Sequence, residues 1–153
     1  MTISPAGRKR IEGFEGCVLK AYRDQRGILT IGYGHTGPEV TVGLMWTLAQ
    51  ADAAMTADLV TRVEEPLNRL VSNNVVLSQN MFDALGSLVY NIGEGAFAES
   101  TLLRLLNQHD ALGAANQFLV WDKTKAATND GLLDRRIEER KIFMTPDAAA
   151  VVG

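Results

Sequence analysis

A chain of 153 residues has the usual size of one domain and is long enough to bury a full hydrophobic core. Apolar residues at 46% against 22% charged exclude a disordered chain, and no apolar run approaches the roughly 18 residues that cross a membrane. A net charge of −3 and a pI near 5.4 exclude a general nucleic-acid binder, and the single cysteine, Cys17, excludes an internal disulfide.

The first ten residues, MTISPAGRKR, carry three basic side chains with no apolar core after them, so no secretory signal is expected. Ser4-Pro5 predicts a helix start, with a hydroxyl N-cap and proline at the first helical position. Ile11 and Phe14 are expected on its inward face, and Gly16 as its stop. Glu15 then ends the helix. A helix C-terminus carries partial negative charge and favours a protonated carboxyl, the form a general acid needs. Cys17 is expected to be buried packing.

Residues 18–34 predict a β-hairpin: Val18 to Tyr22 as one strand, Asp24-Gln25-Arg26-Gly27 as the turn, Ile28 to Tyr33 as the return. Alternation sets Thr30 on one face with Gly32 and Gly34, leaving room for something to approach. Thr47 and Gln50 form a capping box before a helical stripe of Leu48, Ala51, Met55, Leu59, Val63, Leu67 and Leu70. Pro66 should kink or divide that helix. Ser78 and Gly93 bracket another helix with Phe82, Leu85, Leu88 and Val89 inside. Ser100-Thr101 starts a leucine-rich helix, Ala111 to Val120 forms a short one, and Asn129-Asp130-Gly131 reads as a turn. Leu133 to Met144 is a charged final helix with Ile137 and Phe143 packing inward, and the tail after Pro146 is expected to fray. The plan is one α+β domain over 1–153, mostly α. A lobe of about 1–60 with the hairpin and a helical lobe of about 70–145 flank a cleft, joined by the helix from Thr47.

Alone, Glu15 reads as a surface charge, Asp24 as a turn former and Thr30 as strand filling. Together they set two carboxylates in unlike environments near one threonine, which suits cleavage of a glycosidic bond. The segment GFEGCVLKAYRDQRGILTIGYGHTG resembles the phage-type lysozymes, the endolysins of glycoside hydrolase family 24. Their pattern of Glu, Asp, Thr and Ile-Gly-x-Gly-His stands here without a gap as Glu15, Asp24, Thr30 and Ile31 to His35. LSQNMFDALGSLVYNIGEGAF, STLLRLLN and GLLDRRIEERKIF extend the resemblance over nearly the whole chain.

The resemblance implies a lysozyme-like fold and hydrolysis of the β-1,4 bond between N-acetylmuramic acid and N-acetylglucosamine in peptidoglycan. It makes Glu15 the general acid and has Asp24 and Thr30 hold the attacking water from the opposite face, with inversion, a route that needs carboxyls roughly 6.5–9.5 Å apart; a retaining route, which needs them closer, stays open. Asn91 would face sugar N-acetyl groups. Arg135 and Arg136 lie in the segment that resembles the family's Arg-bearing helix, with Arg135 expected to position Glu15. His35 is expected to be structural, bonded to a carboxylate, since no second histidine stands at metal-ligand spacing; no metal or cofactor is expected. His109 reads as a surface residue. The resemblance further implies a monomer that waits in the host cytoplasm and reaches the wall through a holin lesion. Two other readings stay open: a lytic transglycosylase, and a non-catalytic wall-binding or phage tail module.

Overall fold

The computed structural model describes residues 1–123 and 130–148. Helix α1 (Pro5–Glu15) begins where Ser4 Oγ accepts the Gly7 amide at 3.0 Å, and ends at Gly16, whose φ of 68° no residue with a Cβ adopts readily. Ser4 also reaches α4 (Gln79–Ile92): its amide donates to Asp83 Oδ1 at 3.0 Å and its hydroxyl to Asp83 Oδ2. Gly7 makes this close approach possible, because a Cβ there would lie 2.5 Å from the Asp83 carboxyl carbon. The first helix therefore packs on α4, although the chain order assigns it to the sheet-bearing lobe.

Strands β1 (Val18–Arg23), β2 (Leu29–Gly32) and β3 (His35–Thr36) form an antiparallel sheet in that order. The return strand stops one residue short of the expected Tyr33. Gly32 and Gly34 both take positive φ, 66° and 77°, and turn the chain into β3. Tyr22 pairs with Thr30 and Val18 with Gly32, so β1 carries an irregularity between them. On its other edge β1 meets residues 44–46, through Ala21 N to Leu44 O (2.9 Å) and Trp46 N to Leu19 O (2.8 Å).

The predicted capping box of Thr47 and Gln50 opens α2 (Leu48–Asp58), which packs on β2. The expected break before Pro66 takes the form of a π-helical stretch, Leu59–Glu64, followed by α3 (Glu65–Leu70). Pro66 has no N–H to close a regular turn, and the wider turn accommodates it. This spine touches the sheet with its first half and α4 with its second. Leu48, counted in its inward stripe, is exposed at the first turn.

Ser78 and Gly93 bound α4 as expected, and Phe82, Leu85, Leu88 and Val89 are buried. Short helices α5 (Glu94–Ala98), α6 (Thr101–Asn107) and α7 (Ala111–Gln117) follow, with one 3₁₀ turn, Phe118–Val120, continuing α7. The last helix, α8, runs Asp130–Met144 and packs on α4. Asp130 and Gly131 belong to it rather than to a turn, and Asn129 lies outside the described residues. The main core joins Ile11, Met55, Leu59, Val63, Leu67, Phe82, Leu85, Leu88, Phe97, Leu102, Leu106, Phe118 and Phe143. Ile31, Val40 and Ala51 are buried outside that cluster.

Two expectations about inward side chains fail. Phe14 is exposed, and its ring serves as a platform for the Arg135 guanidinium, 4.8 Å above it. Ile137 is exposed because α8 turns Arg135, Arg136 and Glu139 inward instead. The tail is also tied: Asp147 accepts the Gln79 and Asn80 amides at 2.9 and 2.8 Å, a second cap on α4. Residues 149–153 lie outside the description. Among the described residues no helix is long and apolar enough to cross a membrane.

Candidate active site

Glu15 is the last residue of α1, and its side chain keeps 18% of its surface exposed. Its Oε1 accepts from Arg135 Nη1 at 2.7 Å. Its Oε2 faces Gly34, where a Cβ would sit 3.2 Å away. The room that glycine leaves at 34 is thus filled by the carboxylate. At Gly32 it is filled by Trp46, whose ring would stand 3.1 Å from a Cβ.

Arg135 is buried and held on every side. It donates to Ser87 O at 3.0 Å and Ser87 Oγ at 3.3 Å, and its Nε reaches Glu139 Oε2 at 3.3 Å. Glu139 also takes Arg136 Nη1. Arg136 is fully buried, donates to Trp121 O at 2.8 Å and binds Asn91 Oδ1. Burial pushes the Arg136 pKa down against the opposing pull of Glu139. Arg136 is therefore a support inside the fold, with no surface to offer a ligand. Asn91, one residue from the end of α4, is exposed with its carbonyl oxygen on that arginine.

Asp24 sits at the hairpin tip. Its Oδ1 accepts the Arg26 amide at 2.8 Å and the Ile28 amide at 2.9 Å, while Oδ2 lies 3.5 Å from Arg26 Nη2. Desolvation works against the charge, but the two amides and the Arg26 guanidinium outweigh it and hold the carboxyl below its usual value. One carboxylate oxygen builds the turn, and the other takes no part in it. Thr30 is buried, and its hydroxyl donates to Ile28 O at 2.9 Å. Its cross-strand partner is Tyr22, so both side chains share one face of the sheet. Tyr22 feels both carboxylates: burial first, then the charges of Glu15 and Asp24, raise its pKa.

His35 lies between two carboxylates. Its Nδ1 lies 2.7 Å from Asp58 Oδ2 and its Nε2 binds Glu39. Burial alone would lower its pKa; the two carboxylates outweigh that and raise it. Among the described residues no cluster of His, Cys, Asp or Glu has the makings of a metal site. Cys17, expected inside, is exposed, because Gly16 releases the chain onto the open side of β1. His109 is an exposed residue past α6, at φ 63°. Two surface hollows, one beside Val76 with His109 in its lining and one beside Leu59, lie away from Glu15, Asp24 and Thr30.

Sequence reasoning missed Tyr22, Asp58, Arg62, Tyr90 and Glu139. The Asp58–Arg62 spacing of four on one helix was a usable signal; the approach of Tyr90 to the Tyr33–Gly34 turn had none.

Residues 12–139 match the family described as Phage lysozyme. The chain is 44% identical to the endolysin of Salmonella phage P22 over 149 residues, which span 95% of this chain and 99% of that one. Among solved structures it resembles a mutant of P22 lysozyme (TM-score 0.81, 43% identity, 95% and 99% coverage). It resembles the muramidase domain of SpmX from Asticaccaulis excentricus with TM-score 0.85, 36% identity and the same coverage. On the motif, the fold and these matches together, the chain belongs to the phage lysozyme family and is a glycoside hydrolase of the endolysin type.

Proposed function

We propose that this endolysin cleaves the β-1,4 bond between N-acetylmuramic acid and N-acetylglucosamine with Glu15 as general acid and Asp24 and Thr30 as the holders of the attacking water. The observation that carries this is the seat of Glu15. It is fixed by a buried arginine on one oxygen and by a glycine turn on the other, yet keeps an open edge. Pre-set orientation of this kind is what proton delivery to a leaving oxygen requires. Asp24, held ionised by its turn, can take a proton from water through Oδ2. The Thr30 hydroxyl hydrogen is already spent on Ile28 O, so its oxygen can only accept from that water and turns the water lone pair outward. Water bound on the Asp24 side and the acid on the other predict inversion.

Arg135 positions Glu15, Arg136 supports it through Glu139, and Asn91 stands where a sugar N-acetyl group would pass. The chain acts as one lysozyme-like domain and a monomer. It is held in the host cytoplasm until a holin opens the way to the wall, and it needs no metal or cofactor.

Mass spectrometry of soluble products from purified peptidoglycan tests this, with wild type beside Glu15→Gln. Hydrated reducing-end muropeptides from wild type alone, with the new anomeric centre first formed as α, are expected. Anhydro products would assign a transglycosylase. No products from a folded wild type would leave a binding module.

A further inference from the structure

The seat of Glu15 has two walls of unequal stiffness. The Arg135 wall is over-determined by Ser87, Glu139 and the Phe14 ring. The other wall is the Tyr33–Gly34 turn, flanked by two glycines at positive φ, and such a turn has little rigidity of its own. Something outside the sheet must hold it.

Arg62 is placed to do so. Its Nη1 donates to Gly34 O at 3.3 Å and its Nη2 to Tyr90 O at 3.0 Å. Its guanidinium lies 4.1 Å over the Tyr90 ring, and the Tyr90 hydroxyl donates to Tyr33 O. Asp58 Oδ2 stands 3.5 Å from Arg62 Nη1 and 2.7 Å from His35 Nδ1, on the far side of the same turn. Tyr33, Gly34 and His35 are thus each tied to a group from the spine or from α4. Arg62 belongs to the π-helical stretch, a form found often at functional sites and able to re-aim a side chain.

We propose that Arg62 is a positioning residue for the hydrolysis: its planar fork bridges Gly34 and the end of α4, and so fixes the turn against which Glu15 is seated. The inference rests on Glu15 being the acid. It assigns the Arg62 role to geometry rather than charge. Lysine cannot span two carbonyls on different elements and stack on a ring at once.

The test compares Arg62→Met, Arg62→Lys and Tyr90→Phe with Arg69→Met, a control on α3 whose arginine pairs with Glu94 at the surface. Kinetics on purified peptidoglycan, well below each variant's Tm, should show kcat lowered about tenfold or more with KM little changed, since small misplacements of an acid act on the chemical step. Arg62→Lys should fall nearer to Met than to wild type, and Tyr90→Phe should move in the same direction. Independently of any activity, the ¹H–¹⁵N signals of Glu15, Tyr33, Gly34 and His35 should shift in Arg62→Met and stay put in Arg69→Met. Unmoved turn signals, or an unchanged kcat accompanied only by a lower Tm, would overturn the proposal. Turn signals that shift in a protein whose wild type releases no saccharide would instead remove the general-acid reading while leaving the hold on the turn in place.

Discussion

Replacing Glu139 by glutamine keeps the shape of the site and removes one charge from a group of four, three of them buried. Glu139 is fully buried and faces two arginines, Arg135 at 3.3 Å and Arg136, which are 6% and 0% exposed. With Glu15 they form a set of two cations and two anions. Without the Glu139 charge one buried guanidinium is uncompensated, and breaking a buried pair in this way costs about 3–5 kcal/mol. For a chain of this size each kcal/mol moves the melting point by about 2–4 °C, so a fall of about 6–20 °C is expected. The comparison is Glu94→Gln, which breaks a pair with Arg69 whose side chains are 46% and 58% exposed. An exposed pair contributes about 0–1 kcal/mol, and its loss should move the melting point by no more than about 4 °C. Thermal melts by circular dichroism at neutral pH measure both. Activity adds a second readout, because Arg135 loses its Nε anchor and should hold Glu15 less well. A Glu139→Gln protein that melts within about 2 °C of wild type would refute the claim that this cluster is held together by its charge balance.

Three further outcomes follow from the site. The His35 pKa is raised between Asp58 and Glu39, so its stabilising effect is complete below the ordinary value of 6.5 and is lost as pH rises through the higher folded value; Asp58→Asn should flatten that decline in Tm-versus-pH curves above pH 6.5, and an unchanged slope would refute it. Gly34→Ala forces a Cβ into a positive-φ position and toward Glu15 Oε2, at a cost of about 1–2 kcal/mol, with a larger relative loss in kcat than Gly27→Ala, whose added Cβ meets open space; equal losses would count against it. Cys17 should react stoichiometrically with a disulfide reagent in the native state, and a thiol titrated only after unfolding would contradict its exposure.

How far the sequence reads correctly depends on how local the cause is. Helix α4 was legible at both ends, because Ser78 and Gly93 act within one turn and the stripe of Phe82, Leu85, Leu88 and Val89 has one face to bury. The positions of Asp24 at the hairpin turn and Thr30 on the return strand were legible because the hairpin lies within one short stretch of chain, and that of Glu15 because Gly16 ends its helix. Helix α8 was not. Its inward residues include Arg135, Arg136 and Glu139, a buried charged face that hydrophobic periodicity assigns to solvent, and Ile137 was sent inward for the same reason. Cys17 was misplaced by residue type, since a free cysteine is usually buried while this one follows a glycine at a helix end. The strand β3, the 44–46 edge and the brace of Arg62 and Tyr90 depend on tertiary partners distant in the chain, for which local pattern carries no signal.

That division also runs through the candidate site. Glu15 is fixed by the helical part: α1 is pinned to α4 through Ser4 and Asp83, and the carboxylate itself to α8 through Arg135. Asp24 and Thr30 are fixed by the sheet, through backbone amides and strand pairing. Glu15 on one side and Asp24 and Thr30 on the other thus belong to two packing units that are close in sequence. The Tyr33–Gly34 turn and the Arg62–Tyr90 pair lie where the spine crosses between them. The separation of the Glu15 and Asp24 carboxyls is therefore a tertiary quantity. On the proposed roles of Glu15 and Arg62, substitutions at Arg62, Tyr90 or Glu139 are expected to act on the rate rather than on binding.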